Sequence, residues 1–331
     1  MENGKNISLM KSKILKIAGD ASFRTFYRII SKKKSRIIVI AKRKKYENLI
    51  AYLAVNKFLK DNKIFVPKLY SHDFSKGIII IEDFGDLTFH SLILKKKNKF
   101  VIYKQLTNLL LKIQKIKPQF KIKKINSGFH TMNKYSNKHL FRESNLFFDW
   151  YLTLFLSKKK SLKIKNRSKK ILSKLYNRLS FSNSCFVHRD FHAQNLMKVG
   201  RKIGVIDSQD AIIGNPAYDL VSLIDDVRIK TSEELKKQIY NYYINKSSKV
   251  SKSNSNKFLQ DYNILSVQRT LKIIGIFSRL YIRDNKKRYL KFIPYAWKLL
   301  ELRMNSKIFS DLKKLLNENI SKKKRKKVIK K

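Results

Sequence analysis

The segment from Val187 to Asp210 limits the fold more than any other part of the chain. It reads Val-His-Arg-Asp-Phe-His-Ala-Gln-Asn-Leu-Met from Val187 to Met197, and twelve residues beyond Asn195 stands Asp207, in Val205-Ile206-Asp207-Ser208-Gln209-Asp210. Phosphoryl transfer from ATP needs a carboxylate to accept the proton of the attacking hydroxyl, and oxygen ligands to hold Mg²⁺ at the phosphates. Asp190 supplies the carboxylate, and Asn195, five residues on, supplies one ligand. The second ligand should end a short apolar strand, and Ile203-Gly204-Val205-Ile206 runs into Asp207 in that way. To bring Asn195 and Asp207 together the chain must turn back between Met197 and Ile206, and Gly200-Arg201 lies where a hairpin would turn. Taken singly, each residue has an ordinary structural use, Asp207 as a turn former and Asn195 as a helix cap. Three fitting residue types at two fitting spacings point to phosphotransfer. His192 and Gln194, between the key positions, read as scaffold or substrate-side groups.

A chain of 331 residues is long enough for two lobes with substantial cores. Hydrophobic residues at 43% and aromatics at 12% exclude a disordered polypeptide. The single cysteine, Cys185, excludes a disulfide framework and predicts a reducing, cytoplasmic setting. The first sixteen residues lack the apolar run of a signal peptide. The longest apolar runs, Ile37–Ala41 and Ile78–Ile81, are of strand length, so no membrane span is expected. The formal net charge of +53 would attract phosphate backbones. The lysines, however, are spread over the whole chain and accompany abundant Ile and Asn, the residues of AT-rich codons. No specific nucleic-acid partner is therefore expected, only adhesion to acidic surfaces at low salt.

Pattern along the chain predicts a strand at 14–17, a turn at 18–22, strands at 23–30, 36–41 and 77–83, and a helix over 47–60. Mainly helices follow: 100–116, 137–156, 171–179, a segment after Pro216, and 263–283, with the His-Arg-Asp loop between helices. The fold class predicted is α+β and bilobal, with a small N-terminal sheet lobe and a larger helical lobe, the plan of kinase-like phosphotransferases. The boundaries read as 1–86, 87–320 and a basic tail at 321–331. The lysine-rich stretch 157–170, the Ser/Asn/Lys-rich stretch 245–257 and the tail read as solvated connections.

Neither the Walker loop nor a Gly-x-Gly-x-x-Gly loop is present. Gly19-Asp20-Ala21-Ser22-Phe23-Arg24 occupies the expected place. A tight turn there offers backbone N–H groups and the Ser22 hydroxyl to phosphate oxygens, with Arg24 as a charge partner. By side-chain period Lys42 is the candidate phosphate lysine on the third strand, with Glu47 as its partner. Solvated charge explains the run Lys42-Arg43-Lys44-Lys45 equally well.

Together these residues carry a family resemblance. The chain resembles the aminoglycoside/choline kinase-like phosphotransferases. More narrowly, it is similar to the anomeric amino-sugar kinases that phosphorylate N-acetylmuramate and N-acetylglucosamine at C1 in bacterial cell-wall recycling. The matching segments are Gly19–Arg24, Ile81–Asp86, Phe141-Arg142-Glu143 with Asp149–Leu152, and His188–His192. They continue through Val205–Ala211, Tyr218–Leu223, Val267–Lys272 and Gly275–Phe277, spanning about residues 15–290. Ser208 departs from the family, which usually has Phe after the metal aspartate. The resemblance implies ATP and Mg²⁺, with adenine against the backbone at Glu82, Asp83 and Phe84 and phosphates under Gly19, Asp20, Ala21 and Ser22. It implies Asn195 and Asp207 as metal ligands and Asp190 as base. Glu143, Asp149, Gln209, Asp210 and Arg269 become substrate residues, Arg269 facing the lactyl carboxylate of N-acetylmuramate. A monomer with a small-molecule sugar as its partner is expected. Two other readings stay open: a kinase for an aminoglycoside, choline or homoserine, and a non-catalytic nucleotide- or RNA-binding protein.

Overall fold

The structure, a computed structural model, describes residues 13–17, 24–32, 34–41 and 47–326. In chain order it contains β1 (Lys13–Ile17), β2 (Arg24–Ser31), β3 (Lys34–Ala41), α1 (Glu47–Asp61), β4 (Leu69–Asp73), β5 (Ile78–Glu82) and α2 (Phe89–Lys95). Next come α3 (Lys99–Gln114), β6 (Lys121–Lys123), β7 (Phe129–Thr131), α4 (Asn137–Leu146) and α5 (Lys158–Tyr176). Four short strands follow: β8 (Cys185–Val187), β9 (Leu196–Val199), β10 (Lys202–Val205) and β11 (Ile212–Gly214). The chain then runs through α6 (Ala217–Ile224), α7 (Glu233–Lys246), α8 (Ser255–Asp284), α9 (Ile293–Arg303), α10 (Ser310–Asn319) and α11 (Lys322–Lys326). The α+β class expected from the sequence holds.

By packing, the chain forms two units. The first takes residues up to 97 together with 119–133 and 192–211; the second takes 98–118, 134–191 and 212–331. The first unit thus includes two hairpins from later in the chain, each a two-stranded sheet of its own beside the N-terminal sheet.

In the first unit an antiparallel sheet runs in the order β1-β2-β3-β5-β4. Alternation in β3 buries Ile37, Val39 and Ala41 on one face, and Ile37 and Val39 pair across the ladder with Ile81 and Ile79 of β5. Leu49, Tyr52 and Leu53 of α1 complete that core. The β9–β10 hairpin pairs Val205 with Leu196 and turns at Gly200, as the sequence predicts, and Gly200 takes a positive φ of 54°. It docks through Val205 N–H to the Phe65 carbonyl (2.9 Å) and Lys198 N–H to the Leu87 carbonyl (2.7 Å). Gly204 is required there, because a Cβ would lie 2.4 Å from the Phe84 ring.

In the second unit α8, thirty residues long, packs against α4, α6 and α9. The helix expected over 137–156 is broken into three kinds of turn: α4, a π-helical turn at Phe147–Tyr151 and a 3₁₀ turn at Leu152–Leu154. Its close approach to α8 is at Gly275, where a Cβ would fall 2.3 Å from the Leu146 carbonyl carbon.

Three expectations are corrected. The stretch 157–170 is helical: Ser157 caps α5 by accepting the Lys160 N–H at 3.3 Å, and Ser161, Ile164, Ser168, Leu172 and Leu175 form a buried stripe. Lysine is a good helix former, so one apolar stripe at helical period suffices although the overall composition is polar. The tail is also structured as far as residue 326, where Arg325, only 4% exposed, binds Glu301 at 2.9 Å and lies over the Trp297 ring. The His-Arg-Asp loop, lastly, lies between strand β8 and a single 3₁₀ turn at Ala193–Asn195 that leads into the β9–β10 hairpin, rather than between two α-helices.

Candidate active site

The three residues of the phosphotransfer pattern divide between the units: Asn195 and Asp207 belong to the first, Asp190 to the second.

In the first unit the Ile206 N–H donates to the Asn195 carbonyl at 3.1 Å, closing the hairpin directly beside Asp207. Asp207 has φ of +65°, a left-handed conformation that Asp tolerates better than most residues and that marks a constrained position. Its Oδ1 accepts from the Arg24 guanidinium at 2.6 Å and from Gln209 Nε2 at 3.1 Å. A second Arg24 nitrogen donates to Gln209 Oε1 at 3.0 Å. Arg24 opens strand β2, is 7% exposed, and lies over the rings of Phe26 and Tyr52. Burial pushes the Tyr52 hydroxyl up to about 12, so it stays protonated beside this cluster. Ser208 donates to Asn56 Oδ1 of α1 at 2.7 Å, tying the loop to the helix at the position where the resembled family carries Phe. Gln209 also donates to Asp210 at 3.3 Å.

Glu82, Asp83 and Phe84 follow in the same unit. Glu82 accepts the Lys68 N–H at 3.1 Å, and Asp83 holds Arg28 at 2.6 Å. The Phe84 ring stacks on Phe65 with centroids 4.7 Å apart. Gly19, Asp20, Ala21, Ser22 and Lys42 lie outside the described residues.

A hard-oxygen pair such as the Asn195 amide and the Asp207 carboxylate suits Mg²⁺, which keeps several waters and shares its remaining positions with phosphate oxygens. The Asp207 side chain is 39% exposed and already binds a cation, the Arg24 guanidinium. The residues present therefore fit the ion. Among the described residues no group of three or more His, Cys, Asp and Glu could hold a metal, and the Asn195–Asp207 pair needs none.

In the second unit the His-Arg-Asp loop is held by α6. Asp219 of α6 accepts the backbone N–H of His188 at 2.6 Å and of Arg189 at 3.0 Å. Burial raises the Asp219 carboxyl to about 6. Arg189 has φ of +73°, and its guanidinium binds Glu143 of α4. Glu143 also receives Lys272 at 3.1 Å, Gln268 at 3.1 Å and the Tyr135 hydroxyl. Burial pushes the Glu143 carboxyl up, but Lys272 and Arg189 outweigh it and hold the group down at about 2. Asp190 is 41% exposed at its side chain and pairs with Arg269 of α8 at 3.7 Å.

The structure thus brings Arg24, Gln209 and Asp207 together, and separately Asp190 and Arg269. Glu143, expected at the substrate, is 5% exposed and engaged by four side chains, so it belongs to the scaffold of Arg189. Asp149 lies on the π-helical turn, paired with Lys165 at 2.7 Å. Asp219, Lys272 and Asn56 were not assigned roles by sequence reasoning. Asp219 and Lys272 lie inside the family-matching segments, whereas nothing in the sequence signals that Asn56 meets Ser208.

Along the chain this loop leads into the hairpin that ends at Asp207. Residues 13–250 match the model of the phosphotransferase enzyme family, and the chain belongs to that family. Similar curated proteins are more specific. The N-acetylmuramate/N-acetylglucosamine kinase of Neisseria meningitidis serogroup B is 29% identical over 84% of this chain and 81% of its own length. The protein of that name from Pseudomonas aeruginosa is 28% identical over 88% of this chain and 83% of its own. Among solved structures, the ADP-bound aminoglycoside phosphotransferase APH(2'')-Ib shares the fold, with a TM-score of 0.59 at 14% identity over 88% of this chain and 93% of that one.

Proposed function

We propose that the protein transfers the γ-phosphoryl group of ATP to the anomeric C1 hydroxyl of N-acetylmuramate or N-acetylglucosamine, using Mg²⁺. The observation that supports the phosphotransfer reading is the Ile206 N–H to Asn195 carbonyl bond, which closes the hairpin between Asn195, five residues after Asp190, and Asp207, seventeen after it. The names of the similar proteins support the choice of sugar. A monomer working in the cytoplasm is part of this reading; the single cysteine, buried and unpaired in a disulfide, suits a reducing compartment.

Asp190 accepts the proton of the C1 hydroxyl as its oxygen bonds to the γ-phosphorus and the bond to the β-bridging oxygen breaks. Arg269 orients that carboxylate. An anomeric hydroxyl is more acidic than an ordinary alcohol, so a carboxylate base suffices. Asp219 fixes the loop backbone through two N–H groups, and Arg189 anchors it to Glu143. Asn195 and Asp207 hold Mg²⁺, which when bound neutralises charge on the phosphates. Glu82, Asp83 and Phe84 carry the backbone that receives adenine, and Gly19–Ser22, outside the described residues, is the sequence candidate for the phosphates. Gln209, Asp210 and Arg269 are retained as sugar-side groups.

A substrate panel with product analysis by phosphorus NMR tests the reading. Both amino sugars should yield a 1-phosphate, and a methyl glycoside, capped at C1, should be inert although it keeps its C6 hydroxyl. A 6-phosphate product, or turnover of choline or an aminoglycoside in place of the sugars, overturns it.

A further inference from the structure

We infer that Arg24 is an exchangeable counter-ion: it occupies the metal-ligand carboxylate of Asp207 before the substrate arrives and transfers to the phosphates when the metal takes its place. The inference deepens the phosphotransferase reading and rests on it. Arg24 is buried, always charged, and reaches Asp207 at 2.6 Å, while its second nitrogen spans to Gln209 at 3.0 Å. The Phe26 and Tyr52 rings, 5.6 and 6.0 Å from its carbon centre, keep the guanidinium at this edge of the sheet whichever anion it binds. A metal ion and a guanidinium sharing one carboxylate oxygen repel each other at short range, and inside a partly desolvated site that repulsion is strong. Metal alone therefore competes with Arg24 for the Asp207 carboxylate. Metal arriving with a nucleotide brings the replacement anion with it. The result is positive coupling between metal and nucleotide, built into one side chain. Gln209 holds both partners and keeps the guanidinium in plane during the exchange.

The test measures Mn²⁺ binding to the full-length protein by electron paramagnetic resonance, with and without saturating ADP, and ADP binding with and without metal. Arg24→Met should tighten Mn²⁺ binding in the absence of nucleotide by roughly tenfold, weaken metal-free ADP binding by a similar factor, and shrink the coupling between the two ligands accordingly. A purely structural arginine would on removal weaken both. Unchanged or weaker Mn²⁺ binding by a folded Arg24→Met variant, judged by circular dichroism and melting, overturns the exchange. If that variant does not fold, Arg24→Lys decides: keeping the cation but losing the fork to Gln209, it should shift both affinities in the same directions by a smaller factor, and no shift overturns the inference. Failure of the wild-type protein to bind ADP with metal would refute the kinase reading itself, a result distinct from equal metal affinity in wild type and variant.

Discussion

At the scale of single residues the site separates groups that act on the transition state from groups that hold them. Asp190→Asn should leave ADP affinity within about twofold and lower turnover by roughly 10²–10⁴, the range of a lost general base, as steady-state kinetics beside nucleotide titration would show. Asp207→Ala should remove the Mg²⁺ dependence of nucleotide binding, measured calorimetrically with and without the ion; retained dependence would transfer the ligand role to Asp210. Glu143 makes a different prediction. Its alanine variant takes the carboxylate away from half-buried Arg189 and buried Lys272, at a cost of about 3–5 kcal/mol in denaturant unfolding. In the native protein its folded value of about 2 lies below its ordinary 4.5. Its contribution to stability is therefore fully present above 4.5 and is lost as the pH falls through about 2, amounting to on the order of 3 kcal/mol. Asp219 works in the opposite sense: raised from 3.8 to about 6, its contribution is present below 3.8 and lost as the pH rises through 6. Acid unfolding of wild type against Glu143→Gln should show the first window disappear in the variant. Asp190, Asn195 and Asp207 stand out in the sequence as candidates because the proposed chemistry calls for those residue types at that spacing. The burial of Glu143 was not, since a carboxylate aimed at a sugar and one aimed at two cations look alike on a line of text.

Among elements, the meeting of α4 and α8 decides whether Glu143, Gln268, Arg269 and Lys272 reach the catalytic loop. Gly275 is the contact that permits it, and Gly275→Ala would place a methyl 2.3–2.5 Å from backbone atoms of Leu146 and Phe147, which no side-chain rotation relieves. The expected outcome is a loss of about 1–3 kcal/mol or more, read as a lowered melting temperature, with turnover per folded molecule also reduced because Arg269 shifts. The π-helical turn at Phe147–Tyr151 lies at the same crossing. Strands β3 and β5, helix α1 and the β9–β10 hairpin could all be read from period and turn residues. The part of α5 before residue 171 was hidden by its lysines, because its buried stripe contains two serines that carry no apolar signal. Strands β8 and β11, three residues each, are too short for any period; their pairing of Val187 with Ile212 exists only across a separation of twenty-five residues.

For the whole molecule the governing quantity is charge. With 76 basic and 23 acidic residues, most of the exposed cations have no acid to pair with, and they repel one another across the surface. The screening length is about 10 Å at 0.1 M salt, so raising salt from about 50 to 500 mM should raise the melting temperature by several degrees and strip adhering nucleic acid; a falling melting temperature would contradict this. The sequence by itself determined the hairpin between Asn195 and Asp207 and pointed to the proposed base and metal ligands, because phosphoryl transfer admits few residue types and the connecting chain is short. It also determined the class of fold, through strands followed by helices with the periods each requires. Only the tertiary structure decided which charges meet. Arg24 and Asp207 are separated by 183 residues, Arg189 and Glu143 by 46, and Ser208 and Asn56 by 152. Partnerships over such distances are set by how sheets and helices pack, a property of three-dimensional contact that no local pattern along the chain encodes.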